Sequence, residues 1–90
     1  MNTTPYRRRP DVLWRRSLDT VLCLPPEGTE PVTLADTGPE VWDLLQSPHS
    51  LAELSAELAS RHGADPDVVA ADVRPVFERL AALGLIEQVF

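Results

Sequence analysis

The sequence predicts an α+β domain with a three-stranded antiparallel sheet followed by three helices. Two observations carry this: short apolar segments broken by turn residues up to Leu34, then three stretches of helical periodicity from Thr37 onward. The length points to one core, because 90 residues bury roughly 60–70% of the surface their unfolded chain exposes. That leaves little interior for a deep cofactor chamber, and no cofactor or metal is expected. A lone Cys23 cannot form an internal disulfide.

Residues 1–10 hold a three-arginine run and two prolines without periodicity, which predicts a flexible arm, with the domain spanning 11–90. The first strand is expected at Val12–Arg16 and the second at Thr20–Leu24, joined by the short connection Ser17-Leu18-Asp19. Pro25 to Pro31 is a breaker-rich loop. Pro31 then opens a third strand, Val32–Leu34, at a position where a missing N–H is tolerated on a sheet edge.

Thr37 with Glu40 reads as a capping box opening a first helix to about Gln46, with Val41, Trp42, Leu44 and Leu45 inward. Ser50 with Glu53 repeats that chemistry for a second helix, whose Leu51, Leu54 and Leu58 share a face and which ends at Gly63. Asp65 caps the third helix and Pro66 occupies its first position. Its apolar stripe is Val69, Val73, Val76, Leu80 and Leu83, with Phe77 at the edge; Pro75 lies inside and should kink it between 71 and 75. Gly84 ends the helix before an extended tail from Leu85. Strands before helices give a winged-helix-like order.

Catalysis needs a nucleophile, a base and a group that orients the base. Cys23, between Leu22 and Leu24, reads as a core thiol, and His49 and His62 have no partner at metal-ligand spacing. Glu57 and Arg61 form a favourable i, i+4 surface pair, while Glu53 and Glu57 are like-charged neighbours. A non-catalytic binding protein is the expectation.

The net charge of −6 conceals an asymmetry. The first 16 residues carry five arginines against Asp11, a net of +4, which leaves −10 on residues 17–90. DNA binding draws on Lys and Arg at phosphates, whereas the second and third helices each carry a net negative charge. A winged-helix DNA-binding regulator is therefore the weaker alternative, and a cationic partner the stronger. No signal-peptide or membrane-length apolar run is present in these 90 residues, so a cytoplasmic protein without nucleic-acid or membrane partners is expected.

The Pro-Glu-Gly loop, the segment Leu34-Ala35-Asp36-Thr37-Gly38-Pro39-Glu40-Val41-Trp42-Asp43-Leu44-Leu45, the Ser-Leu-x-Glu-Leu helix and the helix ending Leu80-Ala81-Ala82-Leu83-Gly84-Leu85-Ile86 occur in a fixed order. Over about residues 5–88 this resembles the PqqD-like family, the leader-peptide recognition elements of ribosomally made and post-translationally modified peptides. With Trp42, the chain looks most like the stand-alone recognition proteins of lasso-peptide biosynthesis; the peptide chaperone of pyrroloquinoline quinone biosynthesis is the close alternative. The resemblance implies that a precursor's leader pairs antiparallel with the third strand, through Glu30, Pro31, Val32, Thr33 and Leu34. It implies a cleft walled by Val69, Asp72, Val73, Val76, Phe77 and Leu80 of the third helix. The implied partners are that leader and a leader peptidase or cyclase.

Overall fold

The computed structural model describes residues 3–28 and 30–90. The chain order is β1 (Tyr6–Arg8), β2 (Leu13–Ser17), β3 (Thr20–Leu24), β4 (Val32–Leu34), α1 (Gly38–Leu44), α2 (Leu51–His62), α3 (Pro66–Ala82) and β5 (Ile86–Gln88). The three-stranded antiparallel sheet has the order β2-β3-β4, and the expected α+β class holds. Its central strand shows why it forms: Val21 and Cys23 are buried while Thr20, Leu22 and Leu24 are half-buried, the two-residue period of a pleated strand.

The arginine-rich segment is not a free arm. β1 pairs antiparallel with β5, Tyr6 opposite Gln88 and Arg8 opposite Ile86, in a second, two-stranded sheet. On its other side, Tyr6 exchanges backbone hydrogen bonds with His49 at 2.8 and 2.9 Å, and Arg8 donates its N–H to the Leu45 carbonyl at 2.9 Å. Tyr6 also meets Phe77 edge to face, with ring centroids 5.0 Å apart. The same pairing gives the tail after Gly84 its place. Of the expected arm, Met1 and Asn2 lie outside the described residues.

The Ser50–Glu53 capping box forms in full: Ser50 Oγ accepts from the Glu53 N–H at 3.1 Å and Glu53 Oε1 accepts from the Ser50 N–H at 2.9 Å. These bonds to its ionised form hold the Glu53 carboxyl below its ordinary range. Gly63 closes α2 with φ of +61°, a left-handed conformation in which glycine has no steric penalty. The matching expectation at Thr37 fails. Thr37 has φ −78° and ψ −18°, helical rather than extended, and its side chain makes no capping bond. Glu40 instead accepts from His62 Nε2 at 2.9 and 3.0 Å, tying α1 to the end of α2. Gly38 sits close to Leu34: a Cβ there would lie 3.0 Å from that of Leu34, a tight contact that Leu34 would have to yield to.

Asp65 caps α3 through the Asp67 N–H at 2.9 Å, and the helix runs through Pro75 to Ala82. Its buried stripe is Ala70, Val73, Phe77 and Leu80. This rotates the expected face. Phe77 lies at its centre, Val69 and Val76 flank it half-buried, and Leu83 is 37% exposed. The stripe packs with Leu51, Leu54 and Leu58 of α2, with Trp42 and Leu45, and with Val21, Cys23 and Leu34 of the sheet. Each fully buried side chain of this kind contributes roughly 1.5–3 kcal/mol. Three boundaries differ from the sequence reading: β2 starts at Leu13, with Val12 buried before it, and runs on to Ser17, and α1 ends at Leu44.

Candidate functional site

β4 is the strand the sequence reading numbered third. Among the described residues it pairs only with β3, which leaves its other edge open, and cavities lined by both β4 and α3 lie between them. An open edge presents backbone donors and acceptors to an incoming strand. β2 is the opposite edge of the sheet, so an open edge alone does not select β4. The cavities along α3 do.

Three cavities succeed one another along that helix. The largest, about 690 Å³, is lined on one side by Pro25, Pro26, Glu30, Pro31, Val32 and Thr33, and on the other by Arg79, Ala82, Leu83 and Gly84. A second, about 180 Å³, lies between Leu34, Ala35 and Gly38 and the helix residues Pro75, Val76, Arg79 and Leu80. A third, about 240 Å³, joins Asp36, Thr37 and Glu40 with Leu58, His62, Val69, Asp72 and Val73. Arg79 is common to the first two. Together they follow β4 from its proline-rich entry to the start of α1.

The ends differ in charge. At the α1 end Asp36, Glu40 and exposed Asp72 collect three carboxylates, with His62 hydrogen-bonded to one of them. At the loop end Arg9 and Arg79 face Glu27 and Glu30. Arg9 is held by Asp11 at 3.1 Å, while Arg79 has no ion pair among the described residues. The α1 end is acidic while the loop end carries charges of both signs, so an extended peptide is favoured with a cationic residue at the α1 end.

Of the side chains expected at the cleft, Glu30, Pro31, Val32 and Thr33 line the first cavity. Leu34, Val76 and Leu80 line the second, and Val69, Asp72 and Val73 the third. Val73, Leu80 and Leu34 serve mainly as core and show the cavities only their margins. Phe77 does not belong with them: it is buried and turns its ring to Tyr6 of β1. Sequence reasoning passed over Arg79, Pro75 and Leu83. The signal was spacing, because Asp72, Val76, Arg79 and Leu83 recur every three to four residues on a helical face beside the buried one. Pro75 lacks an N–H, which also leaves the Ala71 carbonyl without its helical donor.

Catalytic chemistry finds little here. Burial pushes the Cys23 thiol up to about 11, so it is protonated and inert at neutral pH. Among the described residues no group of three His, Cys, Asp or Glu side chains could hold a metal ion, and no helix is long and apolar enough to cross a membrane.

The family model described as coenzyme PQQ synthesis protein D (PqqD) matches residues 20–86. Among solved structures the fold is similar to that of TbiB1 in complex with the TbiA(beta) leader peptide, at TM-score 0.76 and 22% identity, covering 90% of this chain and 94% of that one. It is also similar to a PqqD truncation of Methylobacterium extorquens PqqCD, described as a functional, stand-alone recognition element for ribosomally synthesised and post-translationally modified peptides. That match has TM-score 0.72 and 24% identity, and covers 92% of this chain and 88% of that one. No curated protein matches significantly.

Proposed function

The chain belongs to the PqqD family, and from that premise we propose that it binds the leader segment of a ribosomally made precursor peptide as a strand added to β4. The observation that carries this is the open β4 edge beside the cavities that line α3. Backbone pairing supplies affinity that tolerates sequence change, and side-chain cavities supply selectivity. The solution structure of the PqqD recognition element and the TbiB1 complex with its leader, both of this fold, support the reading.

An antiparallel leader would enter at the α1 end and leave toward the Pro25–Pro31 loop. A Lys or Arg early in its strand segment would then meet Asp36, Glu40 and Asp72, and an acid later would meet Arg79. One or two apolar side chains beside Val76 and Leu83 would each contribute on the order of 1.5–3 kcal/mol. The protein acts by tethering. Holding the leader raises the local concentration of the core peptide at a leader peptidase or cyclase, without chemical participation by this chain. We assign it to the cytoplasm and to a lasso-peptide pathway, the latter on the resemblance of the Trp42 segment.

A fluorescence-anisotropy titration with labelled leader tests this. Saturation between micromolar and nanomolar, or about −8 to −12 kcal/mol, is expected. Asp72→Arg should weaken a basic leader while leaving the melting curve nearly unchanged, because Asp72 is exposed and makes no ion pair among the described residues. No saturable binding at tens of micromolar, or equal binding of a random DNA duplex, would sink the proposal.

A further inference from the structure

A further cavity lies away from the β4 edge, between β1, β2 and α1. It has a volume of about 330 Å³ and is lined by Arg7, Arg8, Arg9, Trp14, Trp42 and Gln46, with Pro10 and Val12. Both tryptophans of the chain are in its wall. Three of the five arginines of the first 16 residues, Arg7, Arg8 and Arg9, line it, because β1 is a strand and not an arm.

Two of the three arginines in the wall, and Arg16 outside it, are committed elsewhere. Arg7 pairs with Glu87 at 2.9 Å, Arg9 with Asp11 at 3.1 Å, and Arg16, on the adjoining strand, with Asp43. Arg8 is different: its guanidinium carbon stands 4.9 Å from the Trp14 ring centroid and 5.2 Å from that of Trp42, and it has no ion pair among the described residues. The two rings stand at 74° to one another, so the guanidinium can lie flat against only one of them, and its N–H donors have no hydrogen-bond acceptor among the described residues. Trp42 adds another donor. It is fully buried, and its Nε1 has no hydrogen-bond partner among the described residues. Arg8 and Trp42, both in the wall of this cavity, thus each carry a donor without an acceptor.

We propose that this cavity binds a carboxylate carried by a polypeptide, an Asp or Glu side chain or a chain end. Arg8 supplies the charge and the N–H fork, Trp42 Nε1–H a further donor, and Trp14 and Trp42 the walls that hold the guanidinium in place. A planar two-oxygen acceptor matches the fork, and the volume suits one side chain better than a nucleic-acid backbone. Burial lowers the Arg8 pKa and the charge of the nearby Asp43 carboxylate opposes this, so a further anion at the guanidinium stabilises its charged form. The cavity is distinct from the leader cleft, sharing only Arg9 with it, so it can fail or stand independently of leader binding.

The test uses the full chain labelled with ¹⁵N and follows the Trp42 indole N–H resonance during titration with N-acetylglutamic acid α-amide. The neutral N-acetylglutamine amide, inorganic phosphate and a short random DNA duplex serve as comparisons. A saturable shift is expected with the acid and none with the neutral amide, and Arg8→Gln should weaken the response about tenfold or more. If Arg8→Gln does not fold, Gln46→Glu places a competing carboxylate at the exposed rim and should abolish the response. Repeating the titration with leader peptide locates the source of the carboxylate: a shift of the same resonance assigns it to the precursor, and a shift with the free acid alone assigns it to a separate protein. No saturable shift, an equal shift with the neutral amide, a response retained in the tested variant, or a larger response to phosphate or duplex would overturn the proposal.

Discussion

Tyr6→Ala asks whether the arginine-rich segment is part of the fold. The Tyr6 ring packs on Phe77 with centroids 5.0 Å apart and planes at 82°, an arrangement worth about 0.5–1.5 kcal/mol beyond area burial. The ring is half-buried, which adds about half of the roughly 1.5–3 kcal/mol of a fully buried side chain. The expected loss is therefore about 1.2–3 kcal/mol. For a domain of this size each kcal/mol moves the melting temperature by about 4–8 °C, so the variant should melt roughly 5–24 °C lower. Tyr6→Phe keeps the ring and both backbone bonds to His49 and should melt close to the parent. Circular dichroism during a thermal scan reads both. An unchanged Tyr6→Ala curve would refute the reasoning, because a ring on a loose arm contributes nothing to unfolding.

Other perturbations separate features that look alike in sequence. Ser50→Ala should cost about 1 kcal/mol in denaturant unfolding, whereas Thr37→Ala, which removes no capping bond, should cost far less. Leu18 is almost wholly exposed at the β2–β3 turn with φ of +57°; Leu18→Gly relieves roughly 1–2 kcal/mol of left-handed strain against about 0.5–1 kcal/mol of added chain entropy, so the midpoint should rise slightly. The Cys23 thiol keeps its proton in the folded chain up to about pH 11 but loses it near 9 when unfolded. Its contribution to stability is therefore whole below pH 9 and declines as the pH rises toward about 11. Cys23→Ala should flatten that alkaline decline in unfolding curves.

The sequence made legible what is local. β3, α2 and α3 declare themselves through periodicity, and the caps at Ser50 and Asp65 through residue type, because each signal is complete within a few positions. β1 could not be read that way. Its partner β5 lies about eighty residues away, each strand is three residues long, and an Arg-Arg run has no apolar alternation. The Thr37 motif misled because a capping box needs extended backbone at the cap, and the turn after Leu34 imposes a helical one. At the site, β4 was legible from its proline and its brevity. The wall of α3 was read in part: Val73 and Leu80 are buried as expected, while Ala70 and Phe77, rather than Val69 and Val76, complete the core face. That leaves Val76 and Arg79 to the cavities.

The most direct measurement is an amide map of the ¹⁵N-labelled full chain titrated with the precursor's leader peptide. If the leader adds as a strand to β4, the amides of Val32, Thr33 and Leu34 should shift and gain protection from hydrogen exchange. Those of Asp72, Val76, Arg79 and Leu83 should shift with them, and Thr33→Pro should abolish both effects while the chain stays folded. Saturable shifts confined to β2, α2 or β5, with β4 amides unmoved, would contradict strand addition at this edge.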